Sequence, residues 1–254
     1  MTTHETISPS ELWQSIQREA GAALAGDPVL GTSATALLDH SDLSSALATL
    51  IGQQLGTNQI ERMRFTRVAT EAFADEPALI EAASLDLQAI IRRDPAIKGF
   101  LPPLLNFKGY IALQAWRVTN WLWRGDRVDL ARLMQSACSE QLQVSIHPSA
   151  SIGTSVFLDH ATGIMIGALV SIGDEVTILQ NVTISRPESD PRRAPRIGRG
   201  AYLSADTTII GDLTIGDFAK VGAGALVTSD VPAGCTAVGT PARLTNCPET
   251  SVPA

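Results

Sequence analysis

The stretch "IHPSASIGTSVFLDHATGIMIGALVSIGDEVTILQNV", residues 146–182, decides the fold. Counting in sixes from Ile146 gives Ile152, Leu158, Ile164, Val170, Val176 and Val182. After an interruption the count resumes at Ile197 and passes through Leu203, Ile209, Ile215, Val221 and Val227. All of these positions are aliphatic, and the period belongs neither to an α-helix nor to an alternating strand. Four residues beyond most of them stands a small side chain: Ala150, Val156, Thr162, Ala168, Ala201, Thr207, Ala219 and Ala225. This is a hexapeptide repeat, and it predicts a parallel β-helix. Each hexad supplies one short strand whose aliphatic side chain points into a narrow prism, with room only for a small residue near the corner. One coil cannot bury its own face, so stacking supplies the core.

The interruption between Val182 and Ile197 reads "TISRPESDPRRAPR", fifteen residues from one aliphatic to the next where twelve would keep the register. A polar, proline-rich segment leaving a rigid coil is a loop. Such loops often carry function, and they are equally the places where insertions are tolerated.

Upstream the period changes to that of helices. "ISPSELWQSIQREAGAALAG" opens with Ser8, Pro9 and Glu11, a capping-box pattern with proline at the first helical position. "DLSSALATLIGQQLG", "QIERMRFTRVATEAFADEP" and "PALIEAASLDLQAIIRRDP" carry aliphatics at three- and four-residue spacing and end near Gly or Pro. "KGYIALQAWRVTNWLWRGDRVDLARLMQSACSEQ" continues the pattern with a break near Gly125. Its tryptophans, Trp116, Trp121 and Trp123, read as packing aromatics rather than a ligand cage. The expected organisation is α + β: a helical domain over 1–140, a β-helix over 141–238 with a loop at 185–196, and a tail over 239–254.

Composition bounds the function. With 254 residues, 44% hydrophobic and 18% charged, the chain has the balance of an ordinary soluble globular protein. A net charge of −7 argues against a nucleic-acid partner and leaves small molecules as the default ligands. Cys138, Cys235 and Cys247 form no C-x-x-C pair and are odd in number, which suggests neither a zinc site nor a disulfide framework. His147 and His160 have no ligand-spaced cysteines or histidines around them, so no metal is expected. The start "MTTHETISPSELW" lacks the pattern of a signal peptide. No apolar run is long enough to span a bilayer. A reducing cytoplasm is the expected location.

The combination of a helical first half, a hexapeptide second half and "LDHATG" resembles the serine O-acetyltransferase family. The resemblance runs from about residue 8 to residue 247. It rests on "RDPA" at 93–96, "PLLNFKGYIALQAWR" at 103–117, "IHPSA" at 146–150, "LDHATGI" at 158–164 and "GTPAR" at 239–243. It implies a left-handed β-helix, an exception to right-handed crossovers. It also implies a homotrimer with active sites between neighbouring subunits, in some members paired into a hexamer, and acetyl-CoA as co-substrate along the outside of the prism.

Residue by residue, the resemblance makes His160 the general base that takes the alcohol proton, a task for which imidazole has the right intrinsic pKa. Asp159 and Asp94 match residues that hold the substrate ammonium, two carboxylates compensating one desolvated cation. For Asp94 the plainer reading is that "RDPA" ends a helix before proline. Arg193 matches the arginine that clamps the substrate carboxylate, work suited to a planar bidentate donor. Alternatively Arg192, Arg193 and Arg196 form a solvated basic cluster, near the CoA phosphates. Ser204, Ala205 and Ala223 fall where backbone groups meet the pantetheine arm, and Lys220 and Arg243 are candidate phosphate contacts. His147 reads as structural.

The chain departs from the family pattern around this site. Ser145 replaces an aspartate that would orient the base. Ala194 replaces a histidine after the loop arginine, and "MIG" leads to Ala168 where a glutamate usually follows. "SRPESDPRR" replaces a glycine-rich loop. The tail "NCPETSVPA" lacks the terminal isoleucine with which family members enter cysteine synthase, so that complex is not expected. Three functions stay open: acetyl transfer to L-serine or a serine-like hydroxy-amine, acyl transfer to another hydroxylated acceptor in a specialised pathway, and a catalytically weakened partner subunit.

Overall fold

The computed structural model describes residues 6–26, 37–190 and 192–248. The end of the tail, from residue 249 on, lies outside the described residues. The chain divides between Leu142 and Gln143 into a helical unit and a solenoid. Among the described residues no helix is long and apolar enough to cross a membrane.

The helical unit contains α1 (Pro9–Gly26), α2 (Leu43–Leu55), α3 (Gln59–Asp75), α4 (Ala78–Arg93), α5 (Leu101–Asn106), α6 (Lys108–Arg124) and α7 (Val128–Leu142). The capping box is made: the Ser8 N–H donates to Glu11 at 2.8 Å, and the Glu11 N–H donates to the Ser8 hydroxyl at 3.3 Å. Asp42 caps α2 and Asn58 caps α3 through their side chains. The short α5, with prolines in its first turn, has no counterpart in the sequence reading because one turn and a half carries too little periodicity. Gly52 lets α2 lie against α3, since a Cβ there would meet backbone atoms of Arg62 and Thr66. Leu12, Ile16, Leu47, Ile51, Leu87, Ile90, Ile111 and Leu122 fill the core. Trp116 is buried among them, in agreement with its reading as a packing residue.

One charged group is buried with them. Asp86 of α4 is fully inaccessible. Its Oδ2 accepts from Arg117 Nη2 at 2.6 Å, from Arg117 Nε at 3.2 Å and from Gln114 Nε2 at 3.0 Å, all from α6. The bundle thus contains a paired and hydrogen-bonded ion pair, the form in which buried charge is tolerated.

The solenoid is the expected left-handed β-helix that follows the helical half. Three parallel sheets form the faces of a prism: β1-β4-β7-β10-β13, β2-β5-β8-β11 and β3-β6-β9-β12-β14. The chain visits the faces in turn, from β1 (Val144–Ile146) to β2 (Ser151–Ile152) to β3 (Phe157–Leu158), then back to the first face with β4 (Ile164–Ile166). Next come β5 (Ser171–Ile172), β6 (Thr177–Ile178), β7 (Thr183–Ser185), β8 (Arg196–Ile197), β9 (Tyr202–Leu203) and β10 (Thr208–Ile210). The last strands are β11 (Thr214–Ile215), β12 (Lys220–Val221), β13 (Leu226–Val227), β14 (Thr236–Val238) and β15 (Arg243–Thr245).

The register departs from a straight count of six after Leu158. Ile146 pairs with Ile166, twenty residues on, whereas Ile166 pairs with Ile184, eighteen residues on. Two extra residues therefore enter between Leu158 and Ile166. From there the strand positions are Ile166, Ile172, Ile178 and Ile184, while Val170, Val176 and Val182 take buried positions just ahead of each strand. The straight count missed the slip because both registers are aliphatic. The loop is accordingly longer than the count implied. Ile172 pairs with Ile197, twenty-five residues on, so the excursion adds seven residues to a coil.

The expectation of no disulfide is corrected. Cys235 and Cys247 are bonded. After the last parallel coil the chain reverses, and β15 pairs antiparallel with β14, Ala237 opposite Leu244. That reversal brings together two cysteines whose spacing alone gave no sign of pairing. Cys138 is free and buried.

Candidate active site

The two extra residues lie in "DHATG", and they make an irregular corner between the third and first faces. His160 and Ala161 both have left-handed backbones, with φ of 55° and 60°, and Gly163 follows at 75°. Most corners of this solenoid carry a single left-handed residue; two non-glycine residues in succession occur only here among the described residues. Such conformations are costly and persist where surrounding structure fixes them. Here the Asp159 N–H donates to Ile178 O at 2.8 Å, the Gly163 N–H to Gln143 O at 2.8 Å and the Asn181 N–H to Thr162 O at 2.7 Å. Both neighbouring coils thus hold the corner. At Gly163 a Cβ would collide with the Asn181 carboxamide, so glycine is required by contact as well as by φ.

The outcome is an exposed imidazole on a fixed support. The His160 side chain is 74% accessible and that of Asp159 27%, with Nε2 and Oδ1 3.8 Å apart. That distance exceeds a hydrogen bond and leaves the ring free to meet a ligand beside a carboxylate.

The same edge continues through later coils. Leu158 pairs with Ile178 and Ile178 with Leu203, so Leu179 and Gln180, then Ser204 and Ala205, follow in the register of Asp159 and His160. Leu203 pairs with Val221, which puts Ala223 in the next coil of this edge. Three of the candidate donor-side residues are therefore stacked beyond the histidine. Small side chains keep the edge low, and the Gly224 N–H donates to Ala205 O at 2.9 Å. Lys220 is exposed on β12, on the neighbouring face, and Arg243 is exposed on β15.

Arg193 sits elsewhere on the solenoid. Its loop joins β7 to β8, the edge between the first and second faces, so one solenoid does not bring it to His160. Its Nη1 donates to Asp212 Oδ2 at 2.7 Å, and its Nε lies 3.5 Å from Asp190. These carboxylates hold the guanidinium in its charged form. Arg196 Nη1 donates to the other Asp212 oxygen at 3.0 Å. The pair of guanidinium donors in turn depresses the Asp212 carboxyl below its ordinary range. Asp212 was missed from the sequence: it lies in a hexad turn, and nothing in the spacing links it to a loop nineteen residues earlier. Ala194 is buried at the loop's return.

Asp94 belongs to the helical unit. It is the C-cap of α4, its N–H donating to Ile90 O at 2.8 Å and its Oδ1 accepting from the Ala96 N–H at 2.9 Å. The plainer reading, a helix end before proline, is therefore fulfilled; a ligand role would be additional. Ser145 is half-buried on β1 opposite Met165. His147 Nδ1 accepts from the Ser149 N–H at 3.1 Å, a turn-forming contact that fits its structural reading. Among the described residues no cluster of three His, Cys, Asp or Glu side chains could hold a metal.

A hexapeptide β-helix that follows a helical bundle along the chain, with an exposed histidine at an irregular corner, defines an acyltransferase of the hexapeptide class. The comparisons sharpen this. The family described as "Serine acetyltransferase, N-terminal" matches residues 12–115. A serine acetyltransferase of Salmonella typhimurium is 39% identical over 244 residues, covering 95% of this chain and 89% of that protein. The soybean serine acetyltransferase complexed with serine superposes with a TM-score of 0.90 at 38% identity, covering 93% and 98% of the two chains. That of Brucella abortus in complex with coenzyme A gives 0.90 at 34%, covering 93% and 96%. The chain belongs to the serine acetyltransferase family.

Proposed function

We propose that this protein transfers the acetyl group of acetyl-CoA to the hydroxyl of L-serine, with His160 as the general base. The observation that carries the reading is the rigid two-residue corner, which presents His160 beside Asp159 at the head of an edge lined by Ser204, Ala205 and Ala223. His160 takes the hydroxyl proton as the alcohol oxygen attacks the thioester carbonyl. The carbon–sulfur bond then breaks, and the same ring returns the proton to the departing thiolate, so that O-acetylserine and the CoA thiol leave neutral at the reacting atoms. Asp159 holds the ammonium and Arg193 the carboxylate; by the family match Asp94 is a second candidate for the ammonium. Lys220 and Arg243 attract the CoA phosphates. The relatives complexed with serine and with coenzyme A support both substrate classes.

Separation of His160 and Arg193 on different prism edges supports a homotrimer in which each site draws on two copies. We place the enzyme in the cytoplasm. The test is His160→Asn: a steric match that cannot accept the proton, expected to lower kcat by about 10²–10⁴ with little change in acetyl-CoA binding. Undiminished thiol release by this variant refutes the mechanism.

A further inference from the structure

We infer that Asp212 is the positioning residue for recognition of the acceptor carboxylate, an inference that rests on the reading of Arg193 as the clamp. The loop that carries Arg193 adds seven residues to its coil and rejoins the solenoid at β8. Without an anchor, a side chain at that point would sample many orientations, and ordering it on binding would cost affinity. Asp212, in the turn between β10 and β11 one coil further on, supplies the anchor. Its two oxygens are divided, Oδ2 accepting from Arg193 at 2.7 Å and Oδ1 from Arg196 at 3.0 Å. One carboxylate thus fixes the last part of the loop and the first residue of the strand that follows.

Arg193 is not consumed by this contact. Asp212 engages Nη1 and Asp190 lies near Nε, which leaves Nη2 without a partner among the described residues. The side chain is 64% accessible. A guanidinium has five N–H donors, enough to serve an anchoring carboxylate on one side and a ligand carboxylate on the other. Charge points the same way. Arg192, Arg193 and Arg196 against Asp190 and Asp212 leave one positive charge unmatched, so the cluster still attracts an anionic group. Asp212 therefore acts through Arg193 and never touches the acceptor.

The test compares L-serine with L-serinamide, which keeps the ammonium and the hydroxyl but has no carboxylate charge. Asp212→Asn and Asp212→Ala are expected to lower the ratio of kcat/KM for L-serine to that for L-serinamide about tenfold. The loss falls on the KM for serine, and Asp212→Glu recovers part of it. General damage to the solenoid would lower both substrates together and leave the ratio unmoved, which overturns the inference. Arg193→Ala separates the two levels of the argument. If it collapses the ratio while Asp212→Asn does not, the clamp stands and the positioning role of Asp212 falls. If Arg193→Ala leaves the ratio at the wild-type value, the clamp reading itself fails. In the Arg193→Ala background a further Asp212→Asn change should lower the ratio no more; an additive loss also refutes action through Arg193.

Discussion

Replacing Arg117 with methionine is the sharpest test of how the helical unit is held together. The Arg117 and Asp86 side chains are 6% and 0% accessible, so water cannot take over when the pair is broken. Arg117→Met removes the guanidinium and its two hydrogen bonds, at 2.6 and 3.2 Å, from a fully buried carboxylate. Breaking such a pair from one side costs about 3–5 kcal/mol, which for a chain of this size lowers Tm by about 10 °C. Removing the whole network behaves differently. Gln114 donates to Asp86 and its Oε1 accepts from Arg117 at 3.2 Å, so it must change too or become an orphan. Asp86→Leu with Gln114→Leu and Arg117→Met leaves no buried polar group of the set and should recover most of the loss. Thermal melts followed by circular dichroism, with urea titrations at 25 °C, give both numbers. A single variant within about 2 °C of wild type, or a triple variant no better than the single, refutes the assignment. The network ties α4 to α6, and Asp94 lies at the end of α4, about 12 Å beyond Asp86 at helical rise; its place depends on that lock.

Two further outcomes follow from the solenoid. Gly163→Ala forces a Cβ into the Asn181 carboxamide at a φ of 75°, so it should cost at least about 1–2 kcal/mol and lower kcat by about 10–100-fold through a displaced His160; wild-type turnover would refute the rigid-corner argument. Cys235 and Cys247 close a loop with a sequence separation of 12, worth about 3 kcal/mol in the chain-entropy account. Reduction should therefore speed amide exchange in β15. Alkylation of the reduced native protein should label Cys247 but not Cys138, whose thiol burial pushes up to about 12; rapid labelling of Cys138 would contradict its burial.

Much of the fold was legible because its signals are local and redundant. The hexad aliphatics name a solenoid without reference to any distant residue, and Ser8, Pro9 and Glu11 mark the start of α1 by contacts three residues apart. What escaped was set by geometry between coils. Ile164 and Ile166 are both aliphatic and both buried, so composition cannot say which one faces the prism as the regular strand position. Asp212 meets Arg193 only because a loop of a given length returns to a given edge. Cys235 meets Cys247 only because the chain reverses after β14. In the helical unit, Asp86 and Arg117 are 31 positions apart, and each alone reads as a surface charge.

The irregularities are placed in a way that bears on assembly. A hexapeptide solenoid is uniform by construction, with eighteen residues to a regular coil. This chain exceeds that length twice: by two residues at the edge carrying His160, and by seven at the edge carrying Arg193. The two edges bound the same face, that of β1, β4, β7, β10 and β13. A strand of three residues spans about 10 Å, wider than a three-carbon amino acid, so on the proposed roles the separation of base and clamp favours a site shared between two copies. Two copies related by a dyad would set like edges together. A head-to-tail ring, as in the proposed homotrimer, would set unlike edges together, one copy's corner against its neighbour's loop. On the proposed function, the two lengthened coils would each supply half of a site that a neighbouring copy finishes.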